Sequence, residues 1–181
     1  MSGVRGVTPS QTVGPYFTMR LSGEGDNNLL LPGTPGQPIR IEGRVFDGGR
    51  NHIEDALVEV WQADADGKYY GDSDFFGFGR SATDFTTGGY SFTTIKPGRV
   101  PFGDGNYQAP HLTLTIQARG MLKATFTRIY FDDEVAANAL DPVLASVLAH
   151  RRSTLIAIGV GSTYRFDIRY QGDDETVFFD L

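Results

Sequence analysis

The chain has 181 residues, 40% of them hydrophobic, which is enough for one domain with a real core and near the usual size of a single β-rich domain. Zero cysteines exclude disulfides, thiolate metal sites and cysteine nucleophiles, and make a cytoplasmic location the default expectation. A net charge of -6 and a pI near 5.0 supply no basic field for phosphate backbones, and no apolar run approaches the roughly 18 residues of a membrane span, so neither nucleic acid nor membrane is an expected partner.

In chain order, Met1 to Gly6 lacks an apolar signal core. Residues 1–38 are rich in Gly, Pro, Ser and Asn, with Pro32, Pro35 and Pro38 closely spaced, and read as an arm or long loop laid on another surface. From Ile39 to the end, a single domain of short strands is expected. Ile39 to Phe46 is closed by Asp47-Gly48-Gly49, Leu57 to Gln62 by Asp64 to Gly67, and Tyr90 to Ile95 by Pro97-Gly98. His111 to Ala118 alternates in period two, and Thr125 to Phe131 and Tyr164 to Tyr170 continue that pattern as core antiparallel strands. Helix is expected only around Glu134 to Ala139 and after Asp141-Pro142, where Asp caps and Pro takes the first helical position. The predicted class is therefore all-β: an antiparallel β-sandwich with an N-terminal arm and one or two short helices.

Several patterns invite chemistry and lose it on inspection. Asp132-Asp133-Glu134 suits a helix start, where negative charge meets the positive end of the dipole, better than a metal or acid-base site. Gly159-Val160-Gly161-Ser162 has no following Gly-Lys-Ser/Thr, so it fails as a phosphate loop and reads as a hairpin turn. No Gly-x-Ser-x-Gly elbow is present. The most informative stretch is Val58 to Tyr69, which holds the only Trp and ends on a tyrosine able to bind a metal. A metal held without cysteine needs phenolate, imidazole or carboxylate, yet only three histidines exist: His52 in a turn-like stretch, His150 beside Arg151-Arg152, and His111 with no second histidine two residues away.

Thr12-Val13-Gly14-Pro15-Tyr16-Phe17, Glu59-Val60-Trp61-Gln62-Ala63-Asp64, Gly89-Tyr90-Ser91-Phe92 and Ile95-Lys96-Pro97-Gly98 together resemble the intradiol ring-cleaving dioxygenases over nearly the whole chain. Tyr164 to Arg169 and Glu175 to Asp180 look like the alpha-type chains of that family. The resemblance implies the intradiol type of β-sandwich, with ferric iron bound in catalytic chains by two tyrosines and two histidines, the latter as His-x-His on one strand. Carried onto this sequence, Tyr69 falls on the first tyrosine, Val100 on the second, His111 on the first histidine and Thr113 on the second. Valine has no donor and threonine is a poor neutral ligand, so no metal ligand and no catalytic residue is assigned to this chain. Gln108 stands where catalytic chains keep an arginine near the bound ring. Tyr69 and His111 are read as buried, hydrogen-bonded polar residues, a weak vestigial metal site being the alternative.

The resemblance further implies a partner: an iron-bearing beta chain of the same fold, carrying Fe(III), with this chain supplying pocket wall in a higher-order alpha-beta oligomer. The reaction implied is cleavage of 3,4-dihydroxybenzoate by O2 between its hydroxyl-bearing carbons to 3-carboxy-cis,cis-muconate. Thr12, Gly14, Pro15 and Tyr16 would line the substrate cavity, glycine allowing close backbone approach and hydroxyls placing polar groups. Arg119 is the candidate for the ring carboxylate, which a guanidinium holds through two parallel hydrogen bonds; the alternative is an ordinary strand-end ion pair. The rival reading is a purely structural subunit with no contribution to any active site. An apolar interface left exposed would make the chain aggregation-prone alone.

Overall fold

The first strand of the sandwich, β1 (Pro38–Phe46), turns Ile39, Ile41 and Val45 inward and keeps Arg40 and Arg44 outside, as its period-two sequence dictates. Gly43 takes an inward position because a Cβ there would lie 1.7 Å from the Phe166 carbonyl oxygen. This computed structural model describes residues 21–180. Within them follow β2 (Ala56–Gln62), β3 (Phe78–Ala82), β4 (Gly89–Ile95), the short hairpin β5 (Val100–Pro101) and β6 (Tyr107–Gln108), and β7 (His111–Ala118). Beyond these come β8 (Thr125–Phe131), α1 (Val135–Leu140), α2 (Pro142–Ser146), a 3-10 turn at Ala149–Leu155, β9 (Ile156–Val160), β10 (Thr163–Arg165) and β11 (Ile168–Arg169).

One nine-stranded sheet contains all of these strands except the β5–β6 hairpin. β3, β2, β7 and β8 pair antiparallel; β9 joins β8 in parallel; β10 returns antiparallel to β9 and lies parallel to β1; β4 closes antiparallel on the other side of β1. The sheet folds over until β3 approaches β4, where the Ser91 amide donates to the Ser81 hydroxyl at 3.2 Å. Ile41, Val45 and Phe92 from one half meet Val58, Val60, Leu114, Ile116, Ile129 and Phe131 from the other in the main core. The all-β sandwich expected from the sequence is thus observed, with parallel pairings at β1–β10, β1–β11 and β8–β9. Residues before β1 also pack on the sandwich: Asn28 bridges to Thr93 of β4, and Leu29 is buried.

The predicted Tyr164 to Tyr170 strand is divided into β10 and β11 at Phe166 and Asp167, where Phe166 accepts from the Tyr90 hydroxyl and Asp167 from the Arg44 amide. Helix α2 begins as expected: Pro142 takes the first position, and Asp141 accepts from the Leu144 amide at 2.6 Å. The acidic run does not cap α1. Asp133 and Glu134 instead hold Lys96 Nζ, at 2.6 and 2.9 Å, and Asp133 also accepts from the Tyr164 hydroxyl at 2.9 Å. An ammonium held by two carboxylates offers more than a six-residue helix end. Gly161 takes the positive φ (63°) of the β9–β10 turn, while Gly159 and Val160 belong to β9. Among the described residues, no helix is long and apolar enough to cross a membrane.

Candidate functional site

The outer face of β2, β7 and β8 carries the residues the sequence singles out. Cross-strand register places Trp61 opposite Thr113, Thr113 opposite Arg128, and His111 opposite Tyr130, so all five share a face. The intervening Leu112 and Leu114 point into the core. After β2 the chain reverses at Asp64, whose carboxylate accepts from the amides of Asp66 (2.9 Å) and Lys68 (2.8 Å). Gly67, at φ 80°, lets this turn press against the Arg99 carbonyl, 2.0 Å from where a Cβ would sit. The turn delivers Tyr69 back onto Trp61, the rings stacked 5.8 Å apart and 9° from parallel. Val100 is buried alongside, paired with Gln108 in the β5–β6 hairpin.

Behind this face, Asp141 gathers a buried network. Its carboxylate accepts from the Ala109 amide (2.7 Å), the Leu144 amide (2.6 Å) and the Tyr130 hydroxyl (3.2 Å). His111 is buried, and its Nδ1 lies 2.8 Å from the Ala109 carbonyl. A carbonyl only accepts, so Nδ1 carries the hydrogen and the neutral ring leaves Nε2 unprotonated. Burial, with the nearby Arg128 charge, pushes the His111 pKa down to about 4, so the ring is neutral at neutral pH. Burial raises the Tyr69 phenol above its usual value despite the opposing pull of Arg128, and Tyr130 is raised as well, first by burial.

Arg128 is the residue that sequence reasoning did not single out. Its Nη1 donates to Gln108 Oε1 and to the Tyr130 hydroxyl at 3.4 Å, and its charge acts on Tyr69, His111 and Tyr130 alike. The residues present do not fit a ferric ion: of the positions the resemblance assigns, Tyr69 and His111 bear donors, Val100 bears none, Thr113 bears a weak one, and a permanent cation, Arg128, stands on the same face opposite Thr113. Among the described residues, no group of three or more His, Cys, Asp or Glu is placed to hold a metal.

Arg119 lies elsewhere. It follows the last residue of β7, eight residues of extended chain from His111, a span on the order of 25 Å. Its side chain is 79% exposed and its Nε contacts Asp55 Oδ2 at 2.9 Å. Thr12, Gly14, Pro15 and Tyr16 lie outside the described residues. The structure thus assembles Tyr69, Val100, Gln108, His111 and Thr113 around Arg128, and places Arg119 at the opposite end of the sheet.

This sandwich, with two of the family ligand positions (His111 and Thr113) on one sheet face, a third (Tyr69) in the loop after β2 and the fourth (Val100) in the β5–β6 hairpin, is the frame of a ring-cleaving dioxygenase. The dioxygenase family model matches residues 12–172, and the chain belongs to the intradiol dioxygenase family. It is 43% identical over 193 aligned positions, 96% of each chain, to the protocatechuate 3,4-dioxygenase alpha chain of Pseudomonas putida. It is 32% identical, over 82% of this chain and 71% of the other, to the protocatechuate 3,4-dioxygenase beta chain of Burkholderia cepacia. Among solved structures it resembles the dioxygenase domain of a dioxygenase carbohydrate-binding protein fusion from Streptomyces sp. SirexAA-E, with a TM-score of 0.62, 26% identity and coverage of 92% and 99% of the two chains.

Proposed function

We propose that this chain is the alpha subunit of an intradiol dioxygenase that cleaves protocatechuate with O2 to 3-carboxy-cis,cis-muconate. The observation that carries this reading is a likeness along 96% of both chains to an alpha chain, joined to a ligand set in which Val100 and Thr113 stand where donors are needed. Fe(III) belongs to a beta chain of the same fold, where the ring and oxygen react. Both oxygen atoms enter the product, and the substrate's carboxylate is carried through unchanged. A cytoplasmic site of action is part of the same proposal and agrees with a chain that has no cysteine.

This chain's part is recognition and assembly. Arg119 is exposed and uses Nε on Asp55, which leaves the outer edge of the guanidinium to grip the ring carboxylate in a pocket completed by another subunit. Thr12, Gly14, Pro15 and Tyr16 line that pocket. Val135, Leu140, Leu148, Ile158 and Val160 are all strongly exposed here, apolar surface that supports an alpha-beta contact.

The chain purified alone and the chain purified with its partner decide the matter. Colourless, iron-free protein alone, and a wine-red, protocatechuate-cleaving pair, are expected; stoichiometric iron with tyrosinate absorption in the isolated chain would overturn the reading. The Arg119–Asp55 contact favours a second reading, in which the subunit only assembles, and substitution of Arg119 separates the two.

A further inference from the structure

We propose that Arg128 has taken the metal's place: its guanidinium is a resident cation that bars a metal ion from this chain's own pocket independently of the missing ligands. The inference takes the ligand positions from the family reading above and adds what the geometry holds there. Arg128 lies directly across β7–β8 from Thr113, the position of the second histidine, and next to the His111–Tyr130 pair. Nη1 is fixed by Gln108 Oε1 and the Tyr130 hydroxyl, so the half-buried head group is tied to the cluster. Gln108 stands where the resemblance puts an arginine of catalytic chains; here the amide accepts, and the arginine it meets comes from β8.

The contacts of Arg128 are a neutral amide oxygen and a neutral phenol, and the carboxylate of this network, Asp141, is reached only through the Tyr130 hydroxyl. Among the described residues, its charge is therefore not cancelled by contact. A guanidinium cannot shed its proton, so the repulsion felt by an entering metal ion persists at every working pH. Tyr69 and His111 are left in their neutral forms beside a cation that does the structural task of holding the polar face together. On this account, restoring the ligands is not enough to restore the metal site.

The test is ferric-ion binding by the 181-residue chain, read by titration calorimetry and by the tyrosinate-to-iron absorption band. Val100→Tyr with Thr113→His restores the four donors. With Arg128 retained, this variant is expected to bind weakly; adding Arg128→Gln or Arg128→Met should tighten binding by roughly 100-fold or more, as removal of one close charge implies at intermediate dielectric. Arg128→Lys in the same background keeps the charge and should stay weak. Near-UV circular dichroism identifies which of the two neutral variants is folded. Equal affinity with and without the charge, whether both tight or both undetectable, would overturn the proposal. Its failure is separate from that of the functional reading, because the partner's iron and protocatechuate turnover do not enter this measurement.

Discussion

The Tyr130 hydroxyl donates to Asp141 across 3.2 Å, so a strand of the sheet and the cap of α2 share one buried carboxylate. Asp141→Ala removes the cap and strands the Ala109 amide and the Tyr130 hydroxyl, and is expected to cost about 3–4 kcal/mol in urea unfolding. Asp141→Asn keeps one accepting oxygen and should lose clearly less. Equal losses for the two would show that shape, not hydrogen bonding, is what the position supplies.

Burial lowers the His111 pKa from 6.5 to about 4, with Arg128 adding to it. The folded state then binds fewer protons than the unfolded state inside that window. Stability accordingly falls as pH drops through 6.5 and levels off near 4, a loss of roughly 3 kcal/mol at most. His111→Gln should flatten the unfolding free energy over that range, and an unchanged slope would place the titrating group elsewhere.

Lys96 governs a lower window. Partial burial pushes Asp133 up, but the hydrogen bonds from Lys96 and Tyr164 outweigh it and leave the carboxyl below its usual 3.8. A depressed carboxylate stabilises the fold above 3.8, and that contribution disappears as pH falls through the lower folded value. Asp133 is 51% exposed, so the effect is small. Lys96→Met is expected to cost about 1–2 kcal/mol at neutral pH, the cation's contacts over the Phe131 and Tyr164 rings included, and to remove most of the acid dependence below pH 3.8.

Arg119→Gln, in the chain paired with its partner, should raise the KM for protocatechuate roughly tenfold or more while leaving assembly by gel filtration unchanged. A catechol without a carboxylate should be handled equally by variant and wild type. Unchanged kinetics with both substrates would leave Arg119 as the Asp55 partner alone.

Gly67 controls the loop that carries Tyr69. A methyl group there combines a φ of 80° with a 2.0 Å approach to the Arg99 carbonyl, so Gly67→Ala is expected to cost more than about 2 kcal/mol. Trp61 is the only tryptophan and stacks on Tyr69, so its emission should change as the loop lifts. Unaltered emission would mean that the loop tolerates the methyl group.

β1, β2, β4, β7 and β8 were legible because their apolar residues alternate against turn residues on both sides. β3, Phe78-Gly79-Arg80-Ser81-Ala82, carries no β-branched residue, and its strand character comes from pairing with β2. β9 was hidden because Gly159 and Gly161 look like one turn, whereas Gly159 packs beneath the Tyr164 ring as part of the strand. At the site, the family pattern located Tyr69, Val100, Gln108, His111 and Thr113. It had no way to find Arg128, which in sequence is one charge in an alternating strand and gains meaning only from its register opposite Thr113. The acidic run misled for a related reason: its cation, Lys96, lies 37 residues from Asp133.

The parallel pairing of β1 with β10 and β11 has a consequence for how the molecule is made. β1 is synthesised early, yet Arg40 to Glu42 find their neighbours only when Thr163 to Arg165 have been translated. Until then one edge of β1 offers unpaired amides and carbonyls to any extended segment nearby, and contacts that distant in sequence form slowly. Messages cut short before codon 163 would yield chains with that edge permanently open, so truncated products should accumulate in inclusion bodies rather than as smaller folded proteins.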